Sequence, residues 1–382
     1  MSLETRLEIF SNISDFTSSE WDYCNREGNI FLSYNFLYLL EKTRCVSEDT
    51  GWIPIYFALF NKKKLVACTP CYIKTHSQGE YVFDHAWANA YKSIGINYYP
   101  KLLIASPFTP VSGMRILSYG VKADIYKDII IKEIKKFCEK NKYSGLHINF
   151  FDKREIQLFK ENGFLIRVGE QFHFNNHNYT SFNHFLSTLS YKKRKNIIKE
   201  RDSLLKQNIK IEILDKNNID QKVCTLMYQF YINTIQKKWS YDYLNREFFI
   251  NLPKLLKGNI IIIVAKKNNA IIAASLNFIS GKTLFGRYWG SKESLANLHF
   301  EVCYYKPIEL AITLGLNKVE AGAQGGHKIQ RGYLPCETYS AHYLLNPDLQ
   351  KAIEKYTFEE KKMVDQEINF IKKKLSPYKS KV

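Results

Sequence analysis

Apolar and polar positions along the chain fall into two stretches that read alike. In the first, the β-rich runs 55–60 (Ile-Tyr-Phe-Ala-Leu-Phe) and 65–73 (Leu-Val-Ala-Cys-Thr-Pro-Cys-Tyr-Ile) flank a polar turn at 61–64. In the second, 260–265 (Ile-Ile-Ile-Ile-Val-Ala) and 270–279 (Ala-Ile-Ile-Ala-Ala-Ser-Leu-Asn-Phe-Ile) flank Lys-Lys-Asn-Asn at 266–269. Each pattern predicts a hairpin, followed by a further strand at 81–83 or 284–289. Helices come next, where apolar residues recur about every 3.6 positions. The first spans 125–140, with Ile129, Ile130, Ile134 and Phe137 on one face; the second spans 300–314, with Val302, Cys303, Leu310 and Leu314. Short strands at 145–150 and 316–320 follow, and 164–174 and 339–345 close the two units. Antiparallel strands, a crossing helix and parallel-running strands predict a mixed α/β sheet in each.

Residues 181–210 join the units through a charged segment. Beyond them, 347–375 spaces Leu349, Ile353, Tyr356, Met363, Val364, Ile368, Ile371 and Leu375 as a C-terminal amphipathic helix. The expected division is an N-terminal domain over 1–175, a C-terminal domain over 176–346, and a helix with a solvated basic tail over 347–382.

Composition narrows the class. The 382 residues suffice for two domains of roughly 150 residues each, and 45% hydrophobic content excludes wholesale disorder. No apolar run reaches the roughly 18–20 residues that span a bilayer. The N-terminus lacks the basic-then-apolar pattern of a signal peptide. A cytoplasmic location is expected, with peripheral membrane contact left open. The eight cysteines lie mostly in apolar segments and read as reduced core thiols. The net charge of +18 comes mostly from Lys, alongside abundant Asn, Ile, Tyr and Phe, as an AT-rich genome encodes. A basic surface favours anionic partners, and a solvated Lys-rich surface is equally open.

Several motifs carry candidate chemistry. Cys68-Thr-Pro-Cys71 lies in a strand, where positions three apart face opposite sides; no second Cys or His pair stands at zinc spacing, so a structural role and no metal are expected. Residues 89–113 gather aromatics, prolines and Lys101 in a rigid connection that walls a pocket or covers a sheet edge. Lys192, Lys193, Arg194 and Lys195 open a basic helix that either contacts phosphates or is a charged connector. Arg287-Tyr288-Trp289-Gly290 ends a central strand and His299 and Glu301 begin the next helix, the place where α/β sheets bind ligands. Either His299 or Glu301 is a candidate general base; a capping Glu and a hydrogen-bonded His are the alternatives. Most informative is 320–335, which combines glycines with Gln324, His327, Lys328, Arg331 and Tyr333.

These residues carry a resemblance. Tyr98-Tyr-Pro-Lys-Leu, Pro107-Phe-Thr-Pro-Val-Ser-Gly113, Gln171-Phe-His-Phe174, Gly286-Arg-Tyr-Trp-Gly290, His299-Phe-Glu-Val-Cys-Tyr-Tyr305, Glu320-Ala-Gly-Ala-Gln-Gly325, Arg331-Gly-Tyr-Leu-Pro335 and Tyr339-Ser-Ala-His342 resemble the FemAB-like peptidoglycan biosynthesis/recognition family of the GNAT superfamily. The likeness runs along almost the whole chain. It implies two tandem GNAT-like domains and an acyl or aminoacyl transferase that forms an amide on a peptidoglycan precursor. No permanently bound cofactor is implied; the acyl donor, aminoacyl-tRNA or acyl-CoA, is a co-substrate. The segment 189–197 is similar to the basic segment of Fem-type aminoacyl transferases, which implies tRNA as a partner of Lys192–Lys195.

The sequence departs from CoA-dependent GNAT enzymes at 291–298 (Ser-Lys-Glu-Ser-Leu-Ala-Asn-Leu) and 84–91. Neither has a glycine where a pyrophosphate-holding loop is expected. Pro307 is expected to kink its helix or free a carbonyl. For amide formation, His299 or Glu301 handles the proton, while Gln324 and the amides of Gly325 and Gly326 contact the carbonyl. His327, Arg331 and Arg287 hold an anionic group, and Tyr288, Trp289, Glu320, Tyr333 and Lys101 complete the expected substrate surroundings. The alternatives are an acyltransferase using acyl-CoA or acyl carrier protein on another amine, and a non-catalytic glycan-, peptide- or RNA-binding module.

Overall fold

A computed structural model describes residues 4–237, 241–256, 258–322 and 325–379. The chain divides into two compact units, 4–169 with 337–366, and 170–336 with 367–379. Its strands are β1 (Thr5–Phe10), β2 (Trp52–Asn61), β3 (Lys64–Lys74), β4 (Lys101–Ile104), β5 (Leu117–Ser118), β6 (Gly145–Phe151), β7 (Leu165–Asn175), β8 (Lys210–Leu214), β9 (Ile260–Lys267), β10 (Ala270–Ser280), β11 (Thr283–Ser291), β12 (Lys318–Glu320) and β13 (Leu334–Leu344).

The first unit orders its strands β1-β2-β3-β4-β6-β13, with β5 on β3. All pairs are antiparallel except β4 and β6, which are joined by a crossing helix, Ala123–Lys140. The second unit repeats the order as β8-β9-β10-β11-β12-β7, with β11 and β12 parallel across the helical segment 298–313. The mixed α/β class and the tandem repeat of one sheet order are thus what the chain has. The closing strands are exchanged, however. Residues 339–344 pair with β6 in the first unit, and 173–175 pair with β12 in the second. The boundaries 1–175 and 176–346 follow chain order, whereas an antiparallel edge partner is chosen by topology, which a period-2 pattern does not encode.

Alternation along the hairpins sorts their side chains. Ile55, Phe57, Leu59, Ala67 and Cys71 pack against Ile130, Ile131, Ile134 and Cys138 of the crossing helix. Tyr56, Ala58 and Cys68 pack on the other face with Trp21, Leu32 and Leu37. Cys68 and Cys71 therefore enter different cores. With both faces covered, the strands read as nearly continuous apolar runs, and each buried Leu, Ile or Phe contributes about 1.5–3 kcal/mol. Ile129 and Phe137 lie at the margin of this core rather than at its centre.

In the second unit, Ile261, Ile263 and Ala265 of β9 meet Val302, Ile308 and Ala311 of the crossing segment and Ile197 of the helix Tyr191–Leu205. On the opposite face lies the helix Gln221–Lys237, held very close to β11. Gly290 permits this approach: a Cβ there would stand 1.9 Å from the Phe230 carbonyl oxygen.

One local expectation is corrected and two are refined. Residues 81–83 form no strand: Tyr81 is left-handed (φ 59°), the chain turns into the helix His85–Ser93, and β4 takes the place beside β3. The helix after β11 contains a π turn, Glu301–Tyr305, before Pro307, and of the two expectations for Pro307 it is the freed carbonyl that is seen. Pro307 has no N–H for the Val302 carbonyl five residues back, and Ser275 Oγ donates to that carbonyl instead (3.1 Å). Finally, the long helix Pro347–Phe370 buries Leu349 and Ile353 in the first unit; Lys372, Lys373, Lys374 and Lys379 after it are exposed, as expected, but the backbone around Tyr378 is held by the second unit. Leu189 bridges to Tyr378, Ser190 N–H donates to the Pro377 carbonyl, and the Tyr378 hydroxyl donates to the Gly332 carbonyl (2.7 Å).

Candidate functional site

The second unit gathers most of the candidate residues at the carboxyl ends of β11 and β12, where parallel strands diverge around their crossing helix. A bulge opposite Leu276 and Asn277 leaves Arg287 as the extra residue of β11, a device that re-aims side chains near sites. Beyond it, Trp289 and Tyr288 face opposite ways. Trp289 lies on His299, with ring centroids 4.7 Å apart, while Tyr288 packs on Tyr231 and Phe249 in the far layer. The Thr234 hydroxyl fixes the strand end by donating to the Trp289 carbonyl (2.8 Å).

Around His299 the rings of Trp289, Phe300, Tyr304 and His327 form an aromatic nest. The π turn rotates Tyr304 into it. There the Tyr304 hydroxyl lies 2.8 Å from Nε2 of His327, which is itself exposed. Burial pushes the Tyr304 hydroxyl well above its ordinary range, so it stays protonated.

The glycine-rich loop supplies the other wall. Gly325 takes φ 123°, where a Cβ would strike the His327 ring, and Gly326 begins a short 3-10 turn through Arg331. Gly332, at φ 93°, lies against the Phe185 ring. Gln324 lies outside the described residues. Lys328 is almost wholly buried, and its Nζ donates to the Gly322 carbonyl (2.7 Å). Burial lowers this lysine to about 8, and the neighbouring Arg287 adds to the effect. Sequence reasoning passed Lys328 over as one polar residue among several.

Other candidates are committed elsewhere. Glu301 is buried, and its carboxylate accepts from Arg201 at Nε (3.0 Å) and Nη2 (2.8 Å); Arg201 also reaches Glu309. Burial pushes the Glu301 carboxyl up and Arg201 opposes it, but the geometry makes it a structural anchor rather than an open base. Arg331 likewise faces no open anion site. It holds both Glu200 oxygens (2.9 Å), donates to the His327 carbonyl (2.8 Å), and lies 3.4 Å over the Phe300 ring. Tyr333 is wholly buried in the core.

Glu200 and Arg201 belong to the same helix as Lys192, Lys193, Arg194 and Lys195. The basic segment is thereby tied to the loop and the π turn. Lys193 also contacts Gln330, and Lys192 and Lys195 are exposed.

Glu320 ends β12, buried, 2.5 Å from Lys318 and 3.8 Å from His173 on β7. Lys101 belongs to the first unit, fully buried and ion-paired with Glu80 (2.9 Å) and Asp84. It stabilises that core and offers no surface to a ligand. Among the described residues, no group of three His, Cys, Asp or Glu side chains is placed to hold a metal ion. No helix among them is long and apolar enough to cross a membrane.

The chain is similar to several solved structures. The structure of FemX aligns over 91% of this chain and 100% of its own, at 12% identity and a TM-score of 0.53. L-PGS from Bacillus licheniformis aligns over 67% of this chain and 82% of its own (12% identity, TM-score 0.48). A tandem GNAT protein from the clavulanic acid biosynthesis pathway covers 90% and 99% (9% identity, TM-score 0.45). No curated protein matches the sequence. The family model for peptidoglycan biosynthesis/recognition matches residues 12–380, and the chain therefore belongs to the FemAB-like family.

Proposed function

We propose that the second unit transfers an activated acyl or aminoacyl group to an amine of a peptidoglycan precursor, forming an amide. The attacking amine must lose a proton and the tetrahedral oxyanion must be stabilised. The observation that carries this reading is the 2.8 Å contact between the buried Tyr304 hydroxyl and the exposed His327. As the amine attacks, its proton passes to the Tyr304 oxygen while the Tyr304 proton moves to Nε2 of His327. Lys328, as the ammonium, and the amides of Gly325 and Gly326 stabilise the oxyanion. His299 and Trp289 hold the Tyr304 ring in place. Membership of the FemAB-like family supports the choice of acceptor.

Reconstitution with a peptidoglycan precursor and three donors in parallel (aminoacyl-tRNA, acyl-CoA, acyl carrier protein) tests this, with amide product read by mass spectrometry. His327→Asn and Tyr304→Phe are expected to lower kcat by about 10²–10⁴-fold, the range of general acid–base contributions. Full activity in both variants overturns the proton path. Precursor binding without product under every donor overturns the transferase reading in favour of a binding module.

A further inference from the structure

A short polar chain pins the π turn that carries Tyr304 to the sheet. Ser275 and Asn277, two apart on β10, share the face that lies under the crossing segment. Nδ2 of Asn277 donates to Ser275 Oγ (3.1 Å), and that hydroxyl donates to the Val302 carbonyl (3.1 Å), which Pro307 leaves without its backbone donor. The same Nδ2 also donates to the Ser275 carbonyl (3.2 Å). A carbonyl can only accept, so the amide has one orientation, with Oδ1 turned away from Ser275 and lacking a hydrogen-bond partner among the described residues. Both side chains are buried. An empty buried acceptor is costly, and a leucine of similar shape avoids it. The amide is therefore poorly chosen for packing, but it leaves the Ser275 hydroxyl one place to aim its hydrogen, Val302. Gly286, directly opposite Asn277, makes room for it: a Cβ there would stand 3.3 Å from Oδ1.

Ser275 stands directly opposite Trp289, whose ring lies on His299. Its hydroxyl thus ties the π turn to the strand end that builds the aromatic nest. Two other groups hold the turn, Arg201 on the Glu301 carboxylate and the Tyr333 hydroxyl on the Tyr304 carbonyl (3.5 Å), and neither comes from β10 or β11. Within the turn the Lys306 N–H donates to the Glu301 carbonyl, five residues back. α-Helical winding would give that N–H to Val302 instead. Resting on the Tyr304–His327 proton path, we propose that Ser275 and Asn277 are positioning residues for amide formation, which keep the turn in π winding and so aim the Tyr304 hydroxyl at Nε2 of His327. Neither touches the substrate. With the hydroxyl gone, the Val302 carbonyl recruits the Lys306 N–H, the turn tightens, and Tyr304 rotates out of the nest. A displacement of about 1 Å in a reacting group costs about 100-fold in rate.

Kinetics of the full chain with a peptidoglycan precursor and each of the three donors test this, with the His327 ring titration, followed by NMR, as a readout independent of turnover. Ser275→Ala should lower kcat about 100-fold with KM unchanged. In a Tyr304→Phe background it should lower kcat no further, because it acts through that hydroxyl. Asn277→Leu should lower kcat by less while leaving the urea midpoint no lower than in the wild type, which a packing role does not allow. Tyr304→Phe should shift the His327 titration, and Ser275→Ala should shift it by the same amount. A loss of equal factor in both backgrounds, or wild-type kcat and titration in Ser275→Ala, overturns the proposal. If Ser275→Ala does not fold, Asn277→Leu with wild-type kcat and titration overturns it. Amide formation at full rate by Tyr304→Phe, or no product under any donor, overturns the transfer reading; the shared titration shift still decides whether the two residues aim Tyr304.

Discussion

His147 on β6 and His342 on β13 stand directly opposite each other in the first unit, with their Nδ1 atoms 2.8 Å apart. The surrounding bonds fix which nitrogen carries each proton. Tyr98 donates to Asp84 (2.7 Å), leaving its oxygen to accept from Nε2 of His147 (3.3 Å). Nδ1 of His147 must then accept from Nδ1 of His342, whose Nε2 accepts from the Ser340 hydroxyl (2.8 Å). A proton added to either ring destroys this order, and burial opposes it: His147 is lowered to about 3 and His342 well below its ordinary value.

The pair should therefore make the protein acid-sensitive. In the unfolded chain both rings take up protons near pH 6.5, while in the folded chain they do not. The stability they confer is complete above pH 6.5 and is lost as pH falls toward 3. Asp84, lowered to about 2 by Lys101 against the cost of burial, adds to the loss below its ordinary pKa of 3.8. Glu80 and Glu155, both raised to about 7 by burial, act oppositely between 4.5 and 7 and offset the two histidines there, and Lys74, lowered to about 7, matters only above that. Each net proton changes stability by about 1.4 kcal/mol per pH unit. Urea midpoints should stay nearly level from pH 6.5 to 4.5, where the histidines and the raised carboxyls offset each other, and fall below 4.5, where the histidine protons stand alone. The double variant His147→Gln/His342→Gln should flatten this dependence. An unchanged slope would remove the pair from the explanation.

Lys101 should behave as a core cation. Lys101→Met leaves the carboxylates of Glu80 and Asp84 buried without a counter-charge, and breaking such a pair costs about 3–5 kcal/mol. Neutralising all three, as Lys101→Met/Glu80→Gln/Asp84→Asn, should recover much of that loss. If Lys101→Met alone leaves the urea midpoint unchanged, the buried triad does not form in solution.

Gly290 gives a test of the second unit's packing. Its backbone angle is ordinary, so only space is at issue. Gly290→Ala presses a methyl group into the Phe230 carbonyl and should cost about 1–3 kcal/mol by overpacking. Gly258→Ala, where a Cβ meets nothing within 4 Å, should stay within about 0.5 kcal/mol. Equal midpoints for the two variants would show that the helix Gln221–Lys237 sits farther from β11.

The hairpins, crossing helices and glycine-rich loop were legible in the sequence because their signals are local. A period of two or 3.6 needs only a short window, and glycines beside His327 mark a close approach wherever the chain leads. Pairings across long separations were not legible. Residues 165–175 carry the same strand pattern whichever unit they close, so the exchange of β7 and β13 was hidden, and with it the meeting of His173 and Glu320. Arg331 and Glu301 looked like ligand contacts for the same reason. A charge in a polar segment gives no sign of its partner, and theirs, Glu200 and Arg201, lie 131 and 100 residues away. Lys328 was missed because nothing in a lysine's neighbours along the chain reveals that it is buried.

Arg331 and Glu200 should prove to be coupled in stability and to set the loop's geometry. Arg331 bridges Glu200, the His327 carbonyl and the Phe300 ring, and Glu200 also accepts from the Tyr305 hydroxyl. Arg331→Met removes the cation from this partly buried cluster and should cost about 3 kcal/mol. Glu200→Gln keeps shape and hydrogen bonds and should cost less. In the double variant the losses should fall short of additivity by about 0.5–3 kcal/mol, the coupling found for groups in one network. Arg331→Lys restores charge but not the planar guanidinium, whose Nη2 donates to both Glu200 oxygens while Nη1 holds the His327 carbonyl, so it should rescue only part of the loss. Because Arg331 holds the backbone of His327, its replacement should also lower kcat more than it raises KM. A substrate-binding arginine would show the reverse, a raised KM with additive stability effects.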